Sequence, residues 1–448
     1  MERIIWFFYN FLFAIGYFLI LPRFLLRMWR RGGYLPAFGQ RLGIYSDAIL
    51  AKLAALPGRF MIHAVSVGEI QVAFRFMKEL RAARPGTAFV LTTTTSTAHA
   101  LAEKMMGKDD LLLYFPVDFP FIIRSVLRKI NPHGLILVES ELWPNLVRLS
   151  AARKIPVMLL NGRISSRSFR GYRFLRPLVR RVLAHFTLFC AQSKEDAERL
   201  IMLGADPGRV RVTGSAKYDI ADAPFRADDQ FIGNLQSLGF GSGHLLLVGG
   251  STWPGEETAL LEIFVRLRGQ YPNLRLVLAP RHAERRKQVM AEIAQSGLEF
   301  NLWSECRAAA RLTSPKSGAV VENRPRKDVL LVDTTGELRA FYSVATVVFI
   351  GKSLTARGGQ NPIEAAVCSK PIVAGPHTEN FSGVVADFLE SQAIIQVSDK
   401  EALEKAVGRL LGHEKERELI GGRAWQVVRK KSGALHASVN LLMPVIKK

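Results

Sequence analysis

Short apolar runs alternate along most of the chain with segments whose apolar positions recur at helical spacing. RFMIHAV (59–65), AFVLTTT (88–94), LLLYF (111–115), GLILV (134–138), IPVMLL (155–160) and FTLFCA (186–191) are the runs of the first half, with amphipathic stretches such as Glu69–Arg84 and Leu142–Lys154 between them. Continuous apolar runs predict strands buried on both faces, and intervening helices predict parallel pairing in a doubly wound α/β sheet. The pattern holds to about Val212 and turns polar and irregular from Gly214 to Gly243. It restarts with LLLVGG (245–250), LRLVLAP (274–280), VLLVD (329–333), TVVFIG (346–351), PIVAG (371–375) and AIIQV (393–397). Two doubly wound domains joined through 214–243 are expected, with ligand bound in a cleft at their strand C-termini. The stretch Glu414 to Leu442 reads as helical and basic, able to pack back across the domains.

The N-terminus breaks this grammar. From Ile4 to Leu21 there is no charged residue, and Arg23, Arg27, Arg30 and Arg31 follow. A spanning helix needs about 20 apolar residues, so this one is at the short end. Its aromatic content equally suits a helix lying in the membrane interface, and its length suits a buried helix of the first domain. No small-residue cleavage site follows, and a spanning helix with these arginines would leave the body in the cytoplasm.

At 448 residues the chain has room for about two to four domains. Hydrophobic residues at 48% and charged residues at 22% exclude disorder along most of it. Lys and Arg number 61 against 39 Asp and Glu, a net charge of +22 that favours an anionic partner: nucleic acid, membrane surface or phosphorylated substrate. Cys190, Cys306 and Cys368 are too scattered for a disulfide framework or a metal-spaced pair, so no structural metal is expected.

Candidate chemistry gathers at strand ends. His63 to Glu69 leads from a strand into a helix, where Glu69 serves either as a base toward a substrate hydroxyl or as a first-turn partner of the helix dipole. Glu139 and Glu141 follow GLILV; Glu139 sits directly at the strand end, while Glu141 also suits an N-terminal helix acid. Lys217 lies in the connection, either pairing with an anionic ligand or solvated. In the second half, Gly249-Gly250-Ser251-Thr252 reads as a weak anion nest. Pro280-Arg281 ends a strand and offers a guanidinium to phosphate or to a surface acid. Thr334 through Gly336, Glu337 and Leu338 begins a helix. Gly358 through Asn361, Pro362, Ile363 and Glu364 couples a glycine pair to a helix start, with Asn361 as N-cap and Pro362 in the first turn. Each of these also has a purely capping explanation.

In these segments the chain resembles the Kdo (3-deoxy-D-manno-octulosonic acid) transferases of lipopolysaccharide synthesis. The matching segments are HAVSVGE (63–69), LTTTTSTAHA (91–100), YFPVDFP (114–120), VESELWPNL (138–146), NGRISSRS (161–168), VTGSAKYD (212–219), APRHAER (279–285), DTTGEL (333–338), GGQNPIEAA (358–366) and GPHTENF (375–381), in order over nearly the whole chain. Ala64, and Ala216 and Tyr218 beside Lys217, are mild departures that touch no proposed catalytic group. The residues favour a membrane anchor and basic flank at 1–35 and a connection at 214–243, and the resemblance implies a GT-B fold with the acceptor domain at 36–213 and the donor domain with a C-terminal helix at 244–448. It implies transfer of Kdo from CMP-Kdo to a tetraacyl lipid A precursor with inversion, no cofactor or required metal, and a place on the cytoplasmic side of the inner membrane. Glu69 would be the base, with Glu139 and Lys217 stabilising the transition state. CMP would bind at Pro280 and Arg281, at Gly336, Glu337 and Leu338, and at Asn361, Pro362, Ile363 and Glu364. Arg163, Arg167, Arg170, Arg173, Arg176, Arg180 and Arg181 would face the anionic leaflet, or form a solvated helix face. The rival readings are a GT-B glycosyltransferase or epimerase using another nucleotide sugar, and a basic membrane or nucleic-acid binding protein. Strand-end carboxylates, and the lack of a basic platform interleaved with aromatics, count against nucleic acid.

Overall fold

The computed structural model describes residues 2–31, 37–55, 58–219, 225–241, 243–312 and 327–446. Parts of the expected basic flank and connection (32–36, 220–224 and 242) lie outside these. The chain forms two compact units, 1–219 with 432–448, and 220–431.

In the first unit seven parallel strands, β1 (Phe60–His63), β2 (Phe89–Thr93), β3 (Leu111–Tyr114), β4 (Gly134–Val138), β5 (Val157–Gly162), β6 (Leu188–Ala191) and β7 (Val210–Val212), lie in the order β3-β2-β1-β4-β5-β6-β7. The central strands are buried along their whole length, as their unbroken apolar runs require. Successive side chains feed two cores: Met61 joins one, and Phe60 and Ile62 join the other. The chain builds outward from β1 through β3 and then returns to lay β4 on the other side of β1. The β1/β4 seam is therefore the topological switch point, where open parallel sheets bind ligands beyond their strand C-termini.

The second unit repeats the plan with β8 (Leu245–Thr252), β9 (Leu274–Pro280), β10 (Phe300–Leu302), β11 (Val329–Leu331), β12 (Val347–Ile350), β13 (Ile372–Ala374) and β14 (Ile395–Gln396). All pairs are parallel, in the order β10-β11-β9-β8-β12-β13-β14, so its switch point is the β8/β12 seam.

Two allocations differ from the sequence reading. The last helix, Ala434–Ile446, belongs to the first unit: Leu435, Val439 and Leu442 complete the core on one face of its sheet. Asp219 fastens it, Oδ1 accepting from Gly433 N at 2.6 Å and Oδ2 from Leu435 N at 2.7 Å. Within the expected connection, Asp229–Ser237 is a helix of the second unit, with Phe231 packed on Trp303 and Phe341.

The N-terminal apolar segment is one helix, Glu2–Arg31, with one stripe laid along the first unit. Trp6 is buried beneath the Arg148 guanidinium, 4.4 Å from its ring centroid, and Tyr9 donates to Asp118 Oδ2 at 2.8 Å. Asn10 Oδ1 accepts from Asn145 Nδ2 at 2.8 Å, and Phe13 and Tyr17 stand edge-on to Phe119. Ile4, Phe7, Phe8, Phe11, Leu12, Phe18 and Leu19 on the other side are exposed.

Candidate functional site

Glu69 enters the first site through a capped helix start. Ser66 is the N-cap of Val67–Ala83 and accepts from Glu69 N at 3.3 Å, while Glu69 Oε2 reaches back to Val65 N at 2.8 Å. This is close to a capping box, and it holds the carboxylate just beyond the end of β1. The helix-capping role weighed for Glu69 is thus real. It also fixes the carboxylate beside the switch point.

Glu139 follows β4, on the other side of that seam, and its backbone is left-handed at φ 62. A non-glycine residue there costs about 1–3 kcal/mol, and such strain clusters at functional sites. Asn161, at φ 55 near the end of β5, donates from Nδ2 to Glu139 Oε1 at 3.4 Å. Its Oδ1 accepts from Ala216 N at 3.0 Å, which ties the loop carrying Lys217 to the same place. Burial raises the Glu139 pKa, Glu69's charge adds to the rise, and Lys217 and Arg163 oppose it. Burial lowers that of Lys217, Glu139 pulls it back up, and Arg163 lowers it further. Residues from the ends of β1, β4, β5 and β7 thus share one electrostatic site.

Besides Asn161, three members of this site were not assigned from sequence. Glu141 is no helix acid, because the helix begins later, at Pro144–Ala152. Its carboxylate accepts from Trp143 Nε1 at 2.7 Å, and burial together with Glu69 and Glu139 lifts its pKa to about 7. His63 lies fully buried against Phe115, and burial drops its pKa to about 3 despite a hydrogen bond to Thr92 O, so the ring is neutral. Thr92 Oγ1 gives its proton to Ile62 O, so both Thr92 oxygens near Nδ1 are acceptors and the ring proton sits on Nδ1. Among the described residues Nε2 is left as a buried acceptor with no donor, 3.8 Å from Glu141 Oε2. A protonated Glu141 can satisfy it; an ionised one cannot. Arg163, grouped with the basic helix face, instead lends its charge to Glu139 and Lys217. Strand-end placement, the signal that found Glu139, also points to Asn161 and Arg163 at the end of β5.

In the second unit Pro280 closes β9, and Arg281 beyond it is exposed, its N–H donating to Thr252 O at 3.1 Å. Gly336 is left-handed at φ 94, and the helix Leu338–Val344 begins after it. Glu337 Oε2 accepts from Thr334 Oγ1 at 2.6 Å, Arg307 at 3.0 Å and Trp303 Nε1 at 3.1 Å, so its carboxylate braces the loop. Asn361 Oδ1 accepts from Ile363 N and its Nδ2 donates to Glu364 Oε1 at 3.3 Å. Pro362 takes the N-cap position of the one-turn helix Ile363–Ala366, one residue later than the expected Asn361 cap.

The segment 249–252, expected as an anion nest, is the buried end of β8. A Cβ on Gly250 would fall 1.9 Å from Tyr342 Oη, so this glycine serves packing. The helix beyond starts at Glu256, whose buried carboxylate accepts from the N–H groups of Trp253, Lys352, Ser353 and Leu354 at 2.7–2.9 Å. Among the described residues no cluster of three or more His, Cys, Asp or Glu has metal-holding geometry.

The sequence profile described as 3-Deoxy-D-manno-octulosonic-acid transferase (kdotransferase) matches residues 36–220. The 3-deoxy-D-manno-octulosonic acid transferase of Haemophilus influenzae is 30% identical over 445 residues, covering 99% of each chain. That of Bordetella pertussis is 31% identical over 444 residues, covering 94% of this chain and 96% of its own. In fold alone, the chain is similar to a glycosyltransferase from Rickettsia africae (TM-score 0.55, 12% identity, 87% of this chain and 99% of that one). It is likewise similar to the UDP-GlcNAc 2-epimerase of Neisseria meningitidis (TM-score 0.55, 11% identity, 86% and 99%).

Proposed function

The chain belongs to the 3-deoxy-D-manno-octulosonic acid transferase family and is a glycosyltransferase, and from that premise we propose that it moves Kdo from CMP-Kdo to lipid IVA, the tetraacyl lipid A precursor, with inversion at the anomeric carbon. The observation that carries this reading is the meeting of Glu69, Glu139 and Lys217 at the first sheet's switch point, from the ends of three separate strands.

Glu69 takes the proton of the acceptor hydroxyl as that oxygen bonds to the anomeric carbon. The bond from this carbon to the phosphate oxygen breaks with its electron pair, and CMP departs. Inversion follows because attack and departure are on opposite sides. Glu139 and Lys217 stabilise the charge that develops, in a partly dry setting where such groups act strongly. Residues 36–213 take the acceptor and 244–431 the donor, with CMP held by Pro280-Arg281, Gly336 to Leu338 and Asn361 to Glu364. A monophosphate leaving group has less need of a divalent ion than a diphosphate. The enzyme works at the cytoplasmic face of the inner membrane, held by its N-terminal helix and basic surface.

The test is product mass, from the full-length protein with CMP-Kdo generated in place and the tetraacyl bisphosphorylated acceptor, with and without chelator. Addition of Kdo that survives the chelator is expected, and Glu69→Gln should lower the rate at least ~100-fold. A folded enzyme that leaves the acceptor mass unchanged would point instead to another nucleotide sugar as donor.

A further inference from the structure

We propose that the ammonium of Lys352 binds the phosphate of the nucleotide donor at the β8/β12 seam of the second unit. This rests on the donor reading above and adds a residue to it.

Lys352 directly follows Gly351 at the end of β12, and Trp253 follows β8, so the two flank the second sheet's switch point. The seam is tight: a Cβ on Gly351 would lie 2.3 Å from Ser251 O. Lys352 is left-handed at φ 56, a conformation suited to glycine. Its backbone is pinned there, N–H donating to Glu256 Oε2 and C=O accepting from Gly359 N, both at 2.7 Å. A lysine at a strained position beyond a strand end needs a reason other than the backbone.

The side chain supplies one. Nζ sits 4.7 Å from the centroid of the Trp253 ring, and that indole stands edge-on to His282 beside Arg281. Cε passes 3.3 Å from where a Gly358 Cβ would project, so the glycine pair leaves this lysine its path. Among the described residues no carboxylate forms an ion pair with Lys352 or Arg281. The nearby acids are engaged elsewhere: Glu256 by four backbone N–H groups, Glu257 by Arg285 and Thr252. An indole face orients an ammonium without neutralising it, which leaves its charge for a ligand. Of the donor's two anionic groups, the phosphate lies next to the nucleoside that the neighbouring loops would hold, while the sugar carboxylate lies beyond it.

Calorimetric titration of the full-length protein with CMP and with cytidine tests this, at low and at high salt. Lys352→Met keeps the stem on Trp253 and removes the charge. Lys352→Gly also frees the backbone and should raise the melting temperature. Both variants are expected to bind CMP about tenfold more weakly with a flatter salt dependence, and cytidine as wild type does. CMP binding unchanged in both variants overturns the proposal, as does an equal loss for cytidine, which would make Lys352 a loop-shaping residue only. A wild-type protein that binds neither compound overturns the donor reading itself.

Discussion

Glu141 holds its proton more tightly folded than unfolded, because burial and the charges of Glu69 and Glu139 lift its pKa from 4.5 to about 7. Its contribution to stability is therefore full below about pH 4.5 and is lost as pH rises through about 7. Glu141→Gln keeps an acceptor for Trp143 and supplies an N–H toward the unsatisfied Nε2 of His63. At pH 8 the variant should be more stable than wild type by on the order of 2 kcal/mol, and near pH 4.5 the two should converge. Denaturant titrations across this range check it, and parallel curves would show that Glu141 does not carry the shift. Glu139 makes the complementary case. Glu139→Gly relieves the left-handed backbone and should gain ~1 kcal/mol while transfer falls at least ~100-fold. Loss of both stability and rate would mean that the carboxylate is structural. Strand-end position marks Glu139 in the sequence, whereas Lys217 is marked only by its place in the connection between the two domains. The surroundings of Glu141 and His63 are not legible there, since they depend on which strands become neighbours, and β1 and β4 meet only through the sheet order.

The helix Glu2–Arg31 shows the same limit at the scale of an element. Its composition leaves spanning, interfacial and buried placements open, and its contacts favour one of them. Trp6, Tyr9, Asn10, Phe13 and Tyr17 lie against Arg148, Asp118, Asn145 and Phe119 over about 16 Å of helix. A spanning placement would draw Arg148 and Asp118 into a hydrocarbon core ~30 Å thick, so we propose an in-plane placement with the other side in lipid. Single cysteines at Phe7, Leu12 and Leu19 should then report one shallow depth to lipid-borne quenchers. A spanning helix would grade their depth over about 18 Å. The native cysteines are all buried and should not compete for label. The doubly wound sheets were legible because their central strands are unbroken apolar runs. The edge strands β7 and β10 were not, being three residues long, with two of the three VRV residues exposed and FNL interrupted by Asn301. The last helix follows the second domain in sequence yet packs back on the first unit, through Asp219 far away along the chain.

The charge of +22 has a physical place on the whole molecule. Arg167, Arg170, Arg173, Arg176 and Arg180 are exposed on the helices Ser166–Phe174 and Arg176–Leu183, and the second of these touches the N-terminal helix. Phe174, 88% exposed, Leu175 and, near the docked aromatic stripe, Phe121 add apolar groups. We propose that this surface faces an anionic leaflet, where arginines would meet headgroups while the rings would enter the acyl boundary. Each arginine near an anionic surface contributes about 1 kcal/mol, screened within a Debye length. Replacing Arg170, Arg173 and Arg176 by Gln should therefore weaken binding to vesicles rich in anionic lipid by at least about tenfold at physiological salt. It should leave binding to neutral vesicles, which rests on the apolar helix, nearly unchanged. Co-sedimentation across a salt series separates the two contributions. If the triple variant lost binding to both kinds of vesicle equally, the arginines would be supporting the fold of this face rather than reading the charge of the membrane. If it lost neither, they would be a solvated surface and the attraction would lie elsewhere in the basic chain.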